Sequence, residues 1–255
     1  MSARTYLVLD IETIPDRDLH SPPEPAAGTE RPFPPLYACR PIVLGVMWLD
    51  EDLSCKRIGT IGEGKDEAGM MADFADFMSK WKPHVVTWNG RSFDLPVLAL
   101  RALRHGLCFD WYFHDRDYRY RYSADGHIDL CDFLSDHGAA RPTSLDGAAR
   151  LVGLPGKGGG VDGSQVEGLY HAGQIEALRR YCLSDVAQTA FLFLRYRLLT
   201  GQMDRDHYRR AAGALLALLE TDGRLSSLLG ALDRRRLLLE ERSEERMEES
   251  SEESS

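Results

Sequence analysis

The sequence predicts an α/β domain built on a mixed sheet. Three observations carry that prediction. The run TYLVLDIET, residues 5–13, is apolar and β-branched and has the length of a buried strand. Residues 42–49 and 54–61 form a strand pair joined near Asp50–Asp52. Beyond them, segments of helical periodicity alternate with a further short strand, the pattern of an α/β domain.

Between the first strand and the pair, residues 15–41 hold eight of the twelve prolines and predict a long irregular excursion. Residues 67–81 place Met70, Met71, Phe74, Phe77 and Met78 on one helical side, and Pro83 ends that helix. Residues 84–88 make the next buried strand. A helix over 92–105 carries Pro96 in its first turn, where proline is tolerated. Residues 143–151 and 174–199 predict further helices. Residues 204–239 predict one or two amphipathic helices, with Leu215, Leu218 and Leu219, then Leu225, Leu228, Leu229 and Leu232. The acidic end, SEERMEESSEESS, is expected to be disordered.

No apolar run approaches the roughly 18 residues that span a bilayer, and residues 6–9 are too few for a signal peptide. The cysteines are Cys39, Cys55, Cys108, Cys131 and Cys182: an odd number, with no C-x-x-C pair. Neither a disulfide framework nor a zinc site is expected, and a reducing cytoplasm fits best. The net charge is −9, but residues 240–255 carry eight Glu and two Arg of it. The body is near neutral, which argues against a long duplex-binding groove.

Asp10 and Glu12 lie two apart on the first strand, so both carboxylates project from one face and Ile11 from the other. Two such carboxylates repel, and a divalent cation compensates them. Asp94, in WNGRSFDLPVL, follows a strand and opens a helix; the simpler alternative is that it is only a helix N-cap. Tyr181 and Asp185, in YCLSDVAQT, are four apart on a helix and share a face. The simpler alternative there is a packed Tyr181 and a solvated Asp185.

Taken jointly, LVLDIETIP, TWNGRSFDLPVLALRA, HIDLCDFL and YCLSDVAQT resemble the segments of the DEDD 3′–5′ exonucleases of the ribonuclease H-like fold. The likeness is to the exonuclease domain of family B DNA polymerases and to stand-alone proteins similar to it. It spans roughly residues 4–200. It implies a five-stranded mixed sheet flanked by helices in an exonuclease domain over 1–200. A C-terminal helical extension over 201–239 and an acidic tail over 240–255 would follow. It also implies two divalent metal ions, Mg²⁺ or Mn²⁺, with Asp10 bridging them. Glu12 and Asp185 would complete one metal site, and Asp94 would support the other. Two metals roughly 3.5–4 Å apart would activate water and stabilise the leaving 3′ oxygen, releasing nucleoside 5′-monophosphates. Tyrosine four residues before the last Asp, rather than histidine five before it, implies the DEDDy branch; position 180 is Arg180. A phenol, with a pKa of about 10, would orient water rather than act as a full base. Thr13, Asn89 and Phe93 match positions that contact the single-stranded end, although Phe93 could equally pack beneath its helix. DNA is the favoured polymer. RNA is the alternative, and a non-catalytic nucleic-acid-binding module of the same fold is a further one.

Other segments make weaker claims. In WYFHDRDYRYRY, residues 111–122, period-two alternation places Tyr118, Tyr120 and Tyr122 on one strand face. Such a strip either tracks a single strand or forms a tyrosine core face. LPGKGGGVDG, residues 154–163, fails the P-loop spacing, because Leu151 and Gly158 stand where Gly and Ser or Thr are needed. A loop at the rim of the site is the better reading, with Lys157 available to a phosphate. His127 and Asp129 suit a structural strand end. The helices after 204 are expected to complete the core or form a lid, with a protein partner as the alternative.

Overall fold

The computed structural model describes residues 4–21, 32–156 and 165–240. Strand β1 (Tyr6–Pro15) pairs antiparallel with β2 (Cys39–Leu49), and β2 pairs antiparallel with β3 (Cys55–Thr60). On its other edge β1 runs parallel to β4 (His84–Thr87), and β4 parallel to β5 (His127–Asp129). The order β3-β2-β1-β4-β5 puts β1 at the centre of a mixed five-stranded sheet. The sheet therefore matches the expectation, although β2 begins at Cys39, inside the segment expected to be irregular. Pro41 is accommodated because the β1–β2 register slips there, between Glu12 and Thr13.

Helix α1 (Glu67–Trp81) links β3 to β4; the Asp66 side chain caps it by accepting from the Gly69 N–H at 2.9 Å. Helix α2 (Asp94–His105) follows β4. Then come α3 (Asp110–His114) and α4 (Arg116–Arg119), ahead of β5. After β5 the chain forms α5 (Leu130–Leu134), α6 (Leu145–Leu151), α7 (Val166–His171) and the long α8 (Ile175–Leu199). Three helices complete it: α9 (Arg205–Asp222), α10 (Ser226–Gly230) and α11 (Arg234–Leu238).

Strand alternation divides the core. Leu7, Leu9 and Ile11 bury against α1, α2 and α3, in a cluster with Phe74, Leu98 and Trp111. Tyr6 and Val8 face α8 and the last helices, in a cluster with Phe191, Tyr208 and Leu237. The C-terminal helices thus share a core with the sheet. The Tyr208 hydroxyl donates to the Leu237 carbonyl at 2.6 Å and accepts from Arg195 at 2.8 Å.

Residues 111–122 are not a strand. Asp115 accepts from the Asp117 N–H at 3.1 Å and starts α4, so local capping overrides the period-two pattern. Tyr118 is buried and donates to the Pro83 carbonyl at 2.7 Å, while Tyr120 and Tyr122 are exposed. Residues 204–239 form three helices rather than one or two, because Gly223 ends α9 in the left-handed conformation. Lys157 and residues 241–255 of the acidic tail lie outside the described residues. Among the described residues, no helix is long and apolar enough to cross a membrane.

Candidate active site

Pairing of β1 with β4 ends at Val8 and Val86, so beyond that point no β4 residue pairs with that edge of β1. Asp10 and Glu12 stand on this stretch, on the Tyr6 and Val8 face, with Ile11 buried on the other. That face is where α8 crosses. The crossing is close because the residue opposite Asp10 on β2 is Gly45. A Cβ at position 45 would lie 2.7 Å from Cys182 Sγ and 3.2 Å from Val186.

Helix α8 carries Tyr181, Cys182 and Asp185 to the site. The buried Cys182 thiol lies 3.3 Å from Asp10 Oδ2 and 3.4 Å from the Asp10 carbonyl, and it donates to this pair of acceptors. Ligating atoms of Asp10, Glu12 and Cys182 all lie within 4.8 Å of one another. Asp185 is buried on the same helix, and Gln188 Nε2 donates to its Oδ1 at 3.3 Å. Tyr181 is half-buried against the cluster of Ile14, Val43, Val166, Leu178 and Cys182.

The fourth carboxylate comes from the other direction. Asp94 is the first residue of α2, and the N-cap position belongs to Phe93, which makes no side-chain cap hydrogen bond. The N-cap alternative for Asp94 is therefore corrected. The cause lies in the preceding turn, where Asn89 is left-handed at φ 66° and the Leu95 N–H reaches the Gly90 carbonyl. A Cβ on Gly90 would sit 2.5 Å from Thr87 Oγ1, so the turn needs glycine there. Asp129, at the end of β5, fixes the turn. Its carboxylate accepts from the N–H groups of Asn89 (2.9 Å), Arg91 (2.8 Å), Cys131 (3.1 Å) and Asp132 (3.2 Å).

The electrostatics are those of crowded anions. Burial pushes the Asp10 carboxyl well above the usual range, and the charges of Glu12, Asp94 and Asp185 push it further; the Cys182 thiol partly offsets them. Burial, then the charge of Asp129, raises Asp94 to about 7, against the backbone N–H groups of Asp94 itself and Ile11. Among the described residues, no ion pair reaches Asp10 or Asp94.

The structure thus brings Glu12, Asp94 and Asp185 to bear on Asp10, while Tyr181 packs against the apolar cluster that includes Cys182. The three expected substrate contacts are less uniform. Asn89 is exposed at the rim. Phe93 is half-buried against the α2 side of the core, and its ring meets Phe33 edge-on with centroids 5.6 Å apart. Thr13 falls on the Ile11 face, where its hydroxyl bonds Cys39. Sequence reasoning missed Cys182, Gly45 and Gln188. A glycine within a β-branched strand was the available sign of a close approach at Gly45. The spacing of Cys182, three before Asp185, was the sign that both share the face over β1.

A central β1 bearing paired carboxylates, with two more delivered by helices on either side, defines an α/β domain of the ribonuclease H-like class. The chain belongs to the family described as predicted 3′–5′ exonucleases related to the exonuclease domain of PolB, whose sequence model matches residues 31–230. That span begins after β1 and runs through α9 into α10. The chain is also 28% identical over 135 residues to the catalytic subunit of DNA polymerase epsilon from Schizosaccharomyces pombe. The match covers 51% of this chain and 6% of that protein. The family B DNA polymerase of the archaeon Pyrobaculum calidifontis shares the fold, with a TM-score of 0.54 at 21% identity. The likeness covers 76% of this chain and 24% of that polymerase.

Proposed function

We propose that the protein is a metal-dependent exonuclease that shortens single-stranded nucleic acid, DNA in preference to RNA, from its 3′ end. The products would be nucleoside 5′-monophosphates. The observation that carries this reading is Asp10: partly exposed on β1 just past its last pairing with β4, surrounded by three further carboxylates, and paired with no cation among the described residues.

Exonuclease domains of this kind use divalent metals, and the donor set here fits hard cations such as Mg²⁺ or Mn²⁺. Asp10, Glu12, Asp94 and Asp185 would hold two such ions, which polarise a phosphodiester and lower the pKa of water. Cys182 is a poor ligand in this setting: burial, then the neighbouring carboxylates, raises its thiol well above the usual range. It serves Asp10 as a hydrogen-bond donor and fixes the carboxylate's rotamer. Gln188 does the same for Asp185. Tyr181 orients water beside the scissile phosphate, and Asn89 and Phe93 flank the terminal nucleotides. The test is release of mononucleotides from single-stranded DNA and RNA oligonucleotides with Mg²⁺ or Mn²⁺ and its absence in EDTA. No release from either polymer with either metal would refute the reading.

A further inference from the structure

We infer that the exposed aromatic and arginine surface of α4 and the turn into β5 is a track for single-stranded nucleic acid leading to the site; this rests on the nuclease reading above. Tyr120 and Tyr122 are 43% and 60% exposed, and they pack edge-on with centroids 5.8 Å apart. Tyr122 in turn meets His137 at 4.6 Å. The Arg116 guanidinium lies 4.6 Å over the Tyr120 ring, and that of Arg119 lies 5.0 Å from the centroid of Phe113. Among the described residues, neither Arg116 nor Arg119 forms an ion pair, whereas Asp132 holds Arg121 at 2.6 Å.

This chemistry selects its occupant. Clustered exposed rings offer faces on which unpaired bases stack, and arginines laid over such rings keep their N–H edges available to phosphates. A duplex hides its base faces, and a near-neutral body lacks the charge for a long duplex groove. The surface is also anchored to the site. Arg91, inside the turn that runs from Asn89 to Asp94, donates to the Arg119 carbonyl at 3.3 Å and the His127 carbonyl at 3.2 Å. Its backbone N–H bonds Asp129. A strand whose 3′ end lies at Asp10 can therefore continue across Asn89 and Arg91 onto Arg119 and the two tyrosines.

Fluorescence anisotropy of the full chain in EDTA, where hydrolysis is blocked, measures this directly. The probes are 5′-fluorescein oligothymidylates of about 12 and about three nucleotides. The Tyr120→Ala/Tyr122→Ala double variant and Arg116→Ala should each weaken binding of the long probe by about 5- to 50-fold. The short probe should bind as to wild type, and Tyr122→Phe, which keeps the ring, should retain affinity for the long one. Circular dichroism confirms that each variant is folded. Unchanged affinity of the folded double variant for the long probe would overturn the inference, and so would an equal loss for both probes. Catalysis plays no part in this readout, so a failure of the nuclease reading shows separately in the mononucleotide assay.

Discussion

Cys182 and Asp10 are bound twice over: the thiol reaches both the side-chain and the main-chain oxygen of the aspartate, at 3.3 and 3.4 Å. Helix α8 is thereby fastened to β1 at the residue on which the proposed chemistry turns. Gly45 permits this contact by leaving a gap on β2.

Gly45→Ala is accordingly expected to push α8 away from β1. The added methyl meets the Cys182 sulfur at 2.7 Å, with the Val186 and Leu183 side chains at 3.2 and 3.6 Å. The expected cost is about 1–3 kcal/mol of stability, with nuclease activity falling by about tenfold or more. Chemical denaturation and initial rates check the two effects. Combining it with Cys182→Ala should restore part of the lost stability, because the smaller side chain gives the methyl room.

Asp94 supplies a pH prediction. Its carboxyl is raised to about 7 in the folded chain. Between the unfolded value, about 3.9, and 7, the unfolded chain has released a proton that the folded chain retains. This group's contribution to stability therefore falls as pH rises through that window. Asp94→Asn should match wild type near pH 4 in EDTA. Its advantage should grow to a few kcal/mol by pH 7.5, followed by urea unfolding at each pH. Excess Mn²⁺ should shrink that advantage by stabilising wild type more.

Asp129→Ala should loosen the turn that carries Asn89 and Phe93 to the rim. Four backbone N–H groups lose their acceptor. The expected destabilisation is about 2–4 kcal/mol, with KM for an oligonucleotide rising more than kcat falls. Thermal unfolding and steady-state kinetics separate these effects.

Behind β1, the buried Arg101 pairs with Asp16 at 2.8 Å and with Glu67. Burial works against ionised Asp16, but the hydrogen bond and charge of Arg101 win and hold its carboxyl below the usual range. Arg101→Leu would leave Asp16 with only Arg104 at 3.8 Å and Glu67 with only His105 at 3.3 Å, at an expected cost of about 3–5 kcal/mol. Activity per folded molecule should stay within about threefold of wild type, because the network does not reach the four site carboxylates.

The fold was legible where periodicity is strong. Helix α1 has the bounds its methionine and phenylalanine spacing predicts, and TYLVLDIET marks the central strand. The alternation that places Asp10 and Glu12 on one face holds because no bulge falls between them. Residues 111–122 misled because their alternation comes from tyrosines and arginines, while the Asp115 cap, a local hydrogen bond, decides the backbone. The N-cap reading of Asp94 failed by one residue, since the left-handed Asn89 moves the cap to Phe93. Cys182 escaped notice because its role depends on a glycine 137 positions earlier in the chain, a relation no local pattern expresses.

The most direct test compares wild type with Asp10→Ala on a 5′-labelled single-stranded oligonucleotide in Mn²⁺. Wild type is expected to give a ladder shortening from the 3′ end, and folded Asp10→Ala a rate at least about 10³-fold lower. Undiminished laddering by the Asp10→Ala protein would contradict the assignment of Asp10 as the centre of the site.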